Sequence, residues 1–210
     1  MNEKTNLRNT VYKGIQKDIL TGKYSVDSII NERELIEKYG ISKSPIRDAL
    51  IELCNDGILV SIPRYGYKIV YYSKEYYQNI VDFRLLVEPA QLEKYWDRLT
   101  DDDILELEKL HIEGTKNQDR DNIELYWKSN SEFHLKLASF YHDEFFYETL
   151  KKALNRQMVA FAQFYWGHWD RSIFSLYTEQ HEDMIKFLKD RNKEMAIEEL
   201  KIDIISFIKM

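Results

Sequence analysis

The chain has 210 residues, of which 44% are hydrophobic and 31% charged, and its formal net charge is −6 at pH 7. This composition is typical of a globular protein with one or two domains and excludes a disordered or low-complexity chain. No apolar run approaches the roughly 18 residues of a membrane helix, and the N-terminus lacks the apolar region of a signal peptide. The single cysteine, Cys54, excludes an internal disulfide, so we expect a cytoplasmic protein with no membrane partner.

Charge is distributed unevenly along the chain. Residues 1–72 carry 11 Lys and Arg against 9 Asp and Glu, whereas the remaining residues carry 19 against 27. A polyanion is therefore attracted only by the N-terminal third, and the acidic remainder repels nucleic acid. All three prolines and five of the seven glycines lie within the first 90 residues. We therefore predict two domains, 1–72 and 73–210.

The first domain is predicted to begin with two helices. Apolar residues from Val11 to Leu20 recur at helical spacing and mark a first helix that ends near Gly22. A short second helix is predicted from Glu32 to Tyr39. Gly40 follows it at the position where a left-handed glycine commonly ends a helix.

A third helix and a hairpin complete this domain. Ser42 is a good N-cap, and Pro45 falls in the first turn, where its missing N–H costs little. Gly57 closes the helix, and two β-prone runs flank the turn "PRYG" at 63–66. Four apolar residues at i, i+3, i+4 and i+7 predict a buried stripe on the third helix: Ile46, Ala49, Leu50 and Leu53. Three helices followed by a hairpin are the plan of a winged helix-turn-helix.

The opposite side of the third helix carries Lys43, Ser44 and Arg47 near its N-terminus, the end that a recognition helix inserts into the major groove. An arginine there can contact guanine O6 and N7, which contributes about 1–3 kcal/mol of base discrimination. Ser42 and Ser44, with the backbone amides of the helix start, suit phosphate oxygens. Arg64, at the hairpin tip, is placed to reach a phosphate or the minor groove. The alternative is that these are ordinary solvated charges.

The second domain is predicted to be all-helical, a bundle of six or seven helices. "TDDD" at 100–103 is typical of an N-cap followed by acids in the first turn, and "KDRN" at 189–192 is typical of a tight turn between helices. The predicted helices lie near 74–97, 101–118, 121–141, 143–168, 171–190 and 192–209.

The segment "NERELIEKYGISKSPIRDALIELCNDGILVSIPRYGYKIV" (31–70) resembles the DNA-binding domain of the GntR family of bacterial transcription regulators. The family pattern is matched at Glu32, Leu35, Gly40, Ser42, Pro45, Arg47, Ala49, Leu50, Leu53, Gly57 and Gly66. The resemblance implies that operator DNA is contacted by Arg33, Ser42, Lys43, Ser44, Arg47, Arg64 and Gly66. Lys43 stands where many members carry arginine, so it offers a point charge instead of a planar fork of donors.

The helical remainder resembles the FadR-type effector domain of that family, called FCD. The similarity lies in "FRLLVEPAQLEKY" (83–95), "NSEFH" (130–134) and "EQHEDMIKFLKDRNKEMAIEEL" (179–200). Many such domains hold a divalent metal with one Asp and three His. By resemblance, the corresponding positions in this sequence are Asn130, His134, His181 and Asp203. The family's Asp is here Asn130 and its last His is Asp203, a set that still suits zinc, nickel or manganese.

Helical spacing also favours convergence of these four residues. Asn130 and His134 are four residues apart and share a helix face. His181 and Asp203 lie at similar distances on either side of the 189–192 turn, which places them at the same level of an antiparallel pair. The alternative is that both histidines are buried, hydrogen-bonded core residues and that the metal has been lost.

Arg84 is a further candidate, because a helix that opens the bundle can aim its guanidinium at an anionic effector. The alternative is an i,i+4 surface pair between Arg84 and Glu88. The remaining histidines, His111, His142 and His168, have no ligand-spaced partner.

We expect a homodimeric transcription repressor, because a two-fold protein reads a palindromic operator. Its partners are double-stranded operator DNA and a small-molecule effector, by resemblance a carboxylate metabolite, and we expect no enzymatic activity. Two alternatives belong to other classes: a metal-dependent hydrolase that uses His134, His181 and Asp203, and a DNA-binding architectural protein whose helical part only dimerises. An inward polar cluster with a cavity favours sensing, whereas an apolar interior favours dimerisation alone.

Overall fold

The structure, a computed structural model, describes residues 3–116, 123–165 and 173–206. These residues form nine α-helices and one two-stranded antiparallel sheet, which confirms the predicted fold class. None of the described helices combines the length and hydrophobicity needed to cross a membrane. The helices are α1 Glu3–Leu20, α2 Glu32–Tyr39, α3 Lys43–Asn55, α4 Lys74–Tyr95, α5 Asp101–Thr115, α6 Ile123–Ser139, α7 Glu144–Tyr165, α8 Ile173–Lys189 and α9 Lys193–Ser206, and the strands are β1 Leu59–Ile62 and β2 Gly66–Ile69.

The described residues form two compact units. The first unit contains α1 to α3, the hairpin and the second half of α7, from Asn155 onward. The second unit contains the chain from Glu75 to Leu154, together with α8 and α9.

The helices of the first unit begin and end where the sequence predicts. The Asn31 side chain caps α2 by accepting a hydrogen bond from the Glu34 amide at 2.9 Å, and Gly40 ends the helix with φ of 63°. Ser42 occupies the N-cap position of α3 but makes no side-chain capping bond. The predicted stripe on α3 is fully buried, and α3 packs against α1 and α2.

The hairpin is anchored along the outer edge of β2. β1 and β2 pair in antiparallel register from Leu59 opposite Ile69 to Ile62 opposite Gly66. Ile30, just before α2, adds a bridge on the far side of β2, where it exchanges two 2.8 Å backbone hydrogen bonds with Tyr67. The wing is therefore attached to the start of α2 rather than projecting freely.

The second half of α7 is hydrogen-bonded into the first unit. Asn155 Nδ2 donates to the Tyr12 hydroxyl and to Asp56 Oδ2, both at 3.2 Å. Gln163 donates to the Val70 carbonyl at 2.7 Å and accepts from the Tyr72 amide at 3.0 Å. These residues of α7, which fall in the predicted domain 73–210, thus belong to the first compact unit.

The second unit is built from helices with well-defined ends. α4 continues into a short 3₁₀ turn at Trp96–Arg98, and a capping box between Thr100 and Asp103 begins α5, as "TDDD" predicts. The turn after α8 has Arg191 at φ of 54°, and its guanidinium donates to the Leu99 carbonyl at 2.8 Å. Parts of the predicted helices near 117–118, 121–122, 166–172 and 207–209 lie outside the described residues, as does His168.

Gly66→Ala tests the packing of the wing. Gly66 has φ of 127°, and a Cβ there would lie 2.6 Å from the Ile30 carbonyl oxygen, whereas a Cβ on Gly40, at φ of 63°, would meet nothing within 4 Å. We expect Gly66→Ala to lower the free energy of unfolding by about 2–3 kcal/mol, and Gly40→Ala by about 1 kcal/mol from backbone strain alone. Chemical denaturation measures both, and equal losses would contradict the close approach to Ile30.

Candidate functional site

The exposed side of α3 carries two cations that share one carboxylate. The Lys43 and Arg47 side chains are 63% and 59% exposed, and each lies 3.2 Å from the Glu32 carboxylate at the start of α2. Glu32 therefore holds Lys43 and Arg47 side by side, and both were predicted to read DNA. Glu32 stands in the matched family pattern, but its sequence position alone indicated no role for it.

The other side chains predicted to contact DNA are also accessible, whereas Gly66 is half-buried. Arg33 is 90% exposed and pairs with Glu37 at 3.0 Å, and Ser42 and Ser44 are exposed. Arg64 is exposed at the wing tip with φ of 70°, next to Tyr65, which is 73% exposed. Tyr65 was not singled out from the sequence, but the turn that presents Arg64 presents it as well. Each of these positions suits contact with a polyanion, and their roles stay predictions.

Three of the four predicted metal ligands meet inside the second unit. One ligand atom each from His134 on α6, His181 on α8 and Asp203 on α9 lies within 4.8 Å of the other two, and all three residues are buried. His134 Nε2 is 2.8 Å from Asp203 Oδ2, and His181 Nε2 is 3.4 Å from Asp203 Oδ1. Asp203 thus faces both imidazoles. His181 on α8 and Asp203 on α9 lie at the same level of the helix pair, as predicted.

Asn130, the fourth predicted ligand, lies one helical turn before His134 on α6 and is 2% exposed. Neither its Oδ1 nor its Nδ2 has a hydrogen-bond partner among the described residues. Leaving a buried amide unsatisfied costs about 1–3 kcal/mol per group. An oxygen donor that is buried and unsatisfied beside a two-histidine, one-carboxylate cluster fits a metal ligand.

The pair of Arg84 and Glu88 is buried, so the interpretation as a surface pair is wrong. Their side chains are 0% and 5% exposed, and Arg84 Nε lies 2.5 Å from Glu88 Oε1. Tertiary packing turns this face of α4 toward the bundle interior. The second carboxylate oxygen of Glu88 lies 2.7 Å from His134 Nδ1, so Glu88 joins Arg84 to the predicted ligands.

The protonation of these groups follows from their neighbours. Burial alone would lower the pKa of His134, but the Glu88 and Asp203 carboxylates raise it above its usual value. Burial would raise the pKa of Asp203, yet the imidazoles of His181 and His134 hold it well below its usual range. In the same way the Arg84 guanidinium and His134 outweigh burial and lower the pKa of Glu88. Both carboxylates are therefore ionised at neutral pH.

His111 on α5, for which the sequence offered no partner, packs against the cluster. Its ring meets the His181 ring edge-to-face with centroids 5.6 Å apart, and it is 5% exposed. Burial and the neighbouring His181 lower the pKa of His111 to about 4. The available signal was helical phase, since Ile104, Leu107 and His111 recur at the spacing of one buried face.

A cavity of about 420 Å³ opens between α5 and α8. His111, Ile112, Glu182 and Lys186 are among its lining residues. Its volume is that of a small-molecule site. Because His111 lines the cavity and also touches His181, it stands between the cavity and the ligand cluster.

Two family models match the chain. The model of "Bacterial regulatory proteins, gntR family" matches residues 7–69, and the model of the "FCD domain" matches residues 79–203. The second match covers more than half of the sequence. The chain belongs to the GntR family of bacterial regulatory proteins, in the FadR-type group that carries an FCD domain.

Individual proteins are similar at lower identity. An uncharacterized HTH-type transcriptional regulator of Bacillus subtilis, YdhC, is 27% identical over 88% of this chain and 82% of its own length. A gluconate operon transcriptional repressor of Bacillus licheniformis is 25% identical over 67% of this chain and 52% of its own length. The solved structure of E. coli McbR/YncC has the same fold, with a TM-score of 0.81, 19% identity, and coverage of 100% of this chain and 97% of that one.

Asn130→Asp tests whether this amide lies within reach of a bound ion. We expect the variant to bind Zn²⁺ about tenfold more tightly, because a carboxylate is a stronger donor and adds a negative charge. Without metal the same change buries a further charge and lowers the melting temperature. Chelator competition and thermal unfolding with and without Zn²⁺ measure the two effects.

Asn192→Asp is the matched control, because it adds the same charge at an exposed N-cap of α9. If Asn130→Asp binds Zn²⁺ no more tightly than this control, Asn130 is not a ligand.

Proposed function

We propose that this transcription regulator of the GntR family is a homodimeric repressor whose operator affinity is set by a small carboxylate bound in the FCD domain. The observation that carries the proposal is the buried polar cluster of His134, His181 and Asp203. A helical domain that only dimerised would have no need for ionisable groups in its interior, since apolar residues of similar volume are as stable or more stable there.

The ligand site is proposed at this cluster and the cavity beside it. Asn130, His134, His181 and Asp203 would hold a divalent metal, with zinc, nickel and manganese as candidates. Bound there, the metal would supply a positive charge for the carboxylate of the effector. The cavity beside His111 has the volume for a metabolite, and Lys186 on its wall is a further cation. The predicted effector contact of Arg84 belongs to the same proposal.

The similarity to a gluconate operon repressor supports both the sign of regulation and the chemical class of effector. Gluconate is a carboxylate, and the protein named for its operon is a repressor. Effector binding would weaken DNA affinity by favouring another placement of the DNA-reading domains in the dimer. Coupling of this kind is typically worth about 1–3 kcal/mol, or 5- to 150-fold in operator affinity.

DNA reading is proposed to lie with α3 and the wing. Lys43 and Arg47 stand exposed at the N-terminal part of α3, and Arg64 is exposed at the wing tip. In a homodimer the two copies of α3 would read the half-sites of a palindrome. The negative charge of the remaining sequence confines nonspecific attraction to the N-terminal domain.

The metal content of the purified protein tests the ligand site. We expect about one divalent ion per chain after purification without chelator or nickel resin, because a buried two-imidazole, one-carboxylate set binds zinc-like ions tightly. His181→Ala removes one donor and should lose the ion, whereas His142→Asn, which removes an exposed imidazole, should keep it. Elemental analysis measures all three proteins, and equal metal content in both variants would contradict the site.

Arg47→Ala tests the DNA surface. On an operator obtained by in vitro selection with the wild-type protein, we expect affinity to fall by about one to two orders of magnitude, because one base-reading contact is lost. Lys201→Ala removes an exposed charge from α9 and is the control. Gel-shift titration measures both, with dimer mass checked by light scattering. Affinity unchanged in Arg47→Ala would exclude α3 as the recognition helix.

A further inference from the structure

Glu88 contacts two buried groups that were assigned to separate sites: Arg84, a predicted effector contact, and His134, a predicted metal ligand. One of its carboxylate oxygens, Oε1, lies 2.5 Å from Arg84 Nε, and the other, Oε2, lies 2.7 Å from His134 Nδ1. The opposite ring nitrogen of His134, Nε2, faces Asp203 Oδ2 at 2.8 Å. Arg84 and His134 are fully buried and Glu88 nearly so, so water does not compete for these contacts.

We infer that Glu88 is a positioning residue, which fixes the tautomer and the orientation of His134 for metal binding. This inference rests on the metal site of the proposed function. An ionised carboxylate only accepts hydrogen bonds, so the hydrogen at this contact belongs to His134 Nδ1. Asp203 favours a proton on Nε2 in the same way when no metal is bound. A metal would take the place of that proton, and an imidazole that keeps its hydrogen on Nδ1 presents the lone pair of Nε2 to the metal.

Arg84 sets the geometry of this contact. Its guanidinium engages Oε1, and this leaves Oε2 of Glu88 directed at His134. Each oxygen of Glu88 therefore faces one of these two groups, and an exchange of partners would move a buried side chain. Arg84 thus acts on the site through Glu88, in addition to any contact with an effector.

A role in charge balance alone makes a different prediction from a positioning role. If Glu88 only balanced the charge of Arg84, both residues could be replaced by neutral ones without changing the tautomer or orientation of His134. If Glu88 positions His134, what matters is an acceptor oxygen at Nδ1. The tautomer of His134 in Glu88→Gln separates the two roles, because an amide has one acceptor oxygen for two donors, Arg84 and His134.

In Glu88→Gln the amide oxygen faces Arg84, since an NH₂ group beside the guanidinium is repelled. The NH₂ group then meets His134 Nδ1, moves the imidazole hydrogen to Nε2 and blocks that nitrogen. We expect the affinity for Zn²⁺ to fall by about 10- to 100-fold, the usual effect of losing such a partner. In the double variant Arg84→Met/Glu88→Gln the amide oxygen can turn to Nδ1, and affinity should recover most of this loss.

The experiment uses the full-length protein and Zn²⁺ in competition with a chromophoric chelator. Nitrogen-15 spectra of the histidines in the metal-free protein, at alkaline pH where imidazoles are neutral, report the tautomer of His134 directly. We expect Nδ1–H in the wild type and in the double variant, and Nε2–H in Glu88→Gln. Glu88→Asp keeps the charge but moves the carboxylate oxygens away from His134, so it should also bind Zn²⁺ more weakly. This variant replaces Glu88→Gln in the test if Glu88→Gln does not fold.

The possible failures are distinguishable. If the wild type binds no Zn²⁺, the proposed metal site is wrong, and the spectra of the metal-free protein still decide the role of Glu88. If the wild type binds Zn²⁺ and Glu88→Gln or Glu88→Asp binds it equally well, the positioning role is overturned. Equal tautomer populations of His134 in the wild type and in Glu88→Gln overturn it as well. Failure of the double variant to recover affinity would show that an acceptor oxygen at Nδ1 does not restore the site, and this would reject the inference.

Discussion

The interior of the second unit depends on how four buried ionisable groups, Arg84, Glu88, His134 and Asp203, balance one another's charge. Moving one such charge out of water costs several kcal/mol, and a partner at hydrogen-bonding distance must offset that cost. The contacts of 2.5, 2.7 and 2.8 Å that join the four groups in a row meet this requirement. Because the row runs from α4 through α6 to α9, the constraint also fixes the register of three helices. A change in any one group leaves a charge without its partner, so the residues have to be considered together.

In the first unit, by contrast, the cations of α3 are exposed to solvent. Lys43 and Arg47 stay well exposed and share the single carboxylate of Glu32, a contact that is weak in water and easily exchanged for a phosphate or a base. Glu32 also reduces their mutual repulsion when no DNA is bound. The positions of both cations are nevertheless precise, because they stand on a helix whose other face is fully buried. Rigid backbone with exchangeable side-chain contacts is what a DNA-reading surface requires.

The sequence determined the first unit more completely than the second because its signals are local. The side chain of Asn31 and the left-handed glycine Gly40 cap α2 locally, and the end at Gly40 was found where predicted. The burial of Arg84 and Glu88 could not be predicted from local signals, since the same i,i+4 pair occurs on exposed and on buried helix faces. Only the packing of α4 against other helices decides between the two. His111 was missed for the same reason, because its contact with His181 lies between α5 and α8. The common level of His181 and Asp203 was predictable, since one turn between two antiparallel helices fixes it, whereas His134 was joined to them by the family resemblance.

The two departures from the family's ligand set are chemically connected. Exchanging a histidine for Asp203 brings a negative charge into the cluster, and exchanging an aspartate for Asn130 removes one. The total charge of the donor set is therefore unchanged, although its distribution is different. The carboxylate now stands between two imidazoles, where it lowers the cost of a proton on His134 when no metal is bound. In the proposed site Asp203 would face either a bound cation or a proton on His134. The pair of substitutions is thus compatible with the proposed metal site, because it redistributes the charge of the donor set without changing the total.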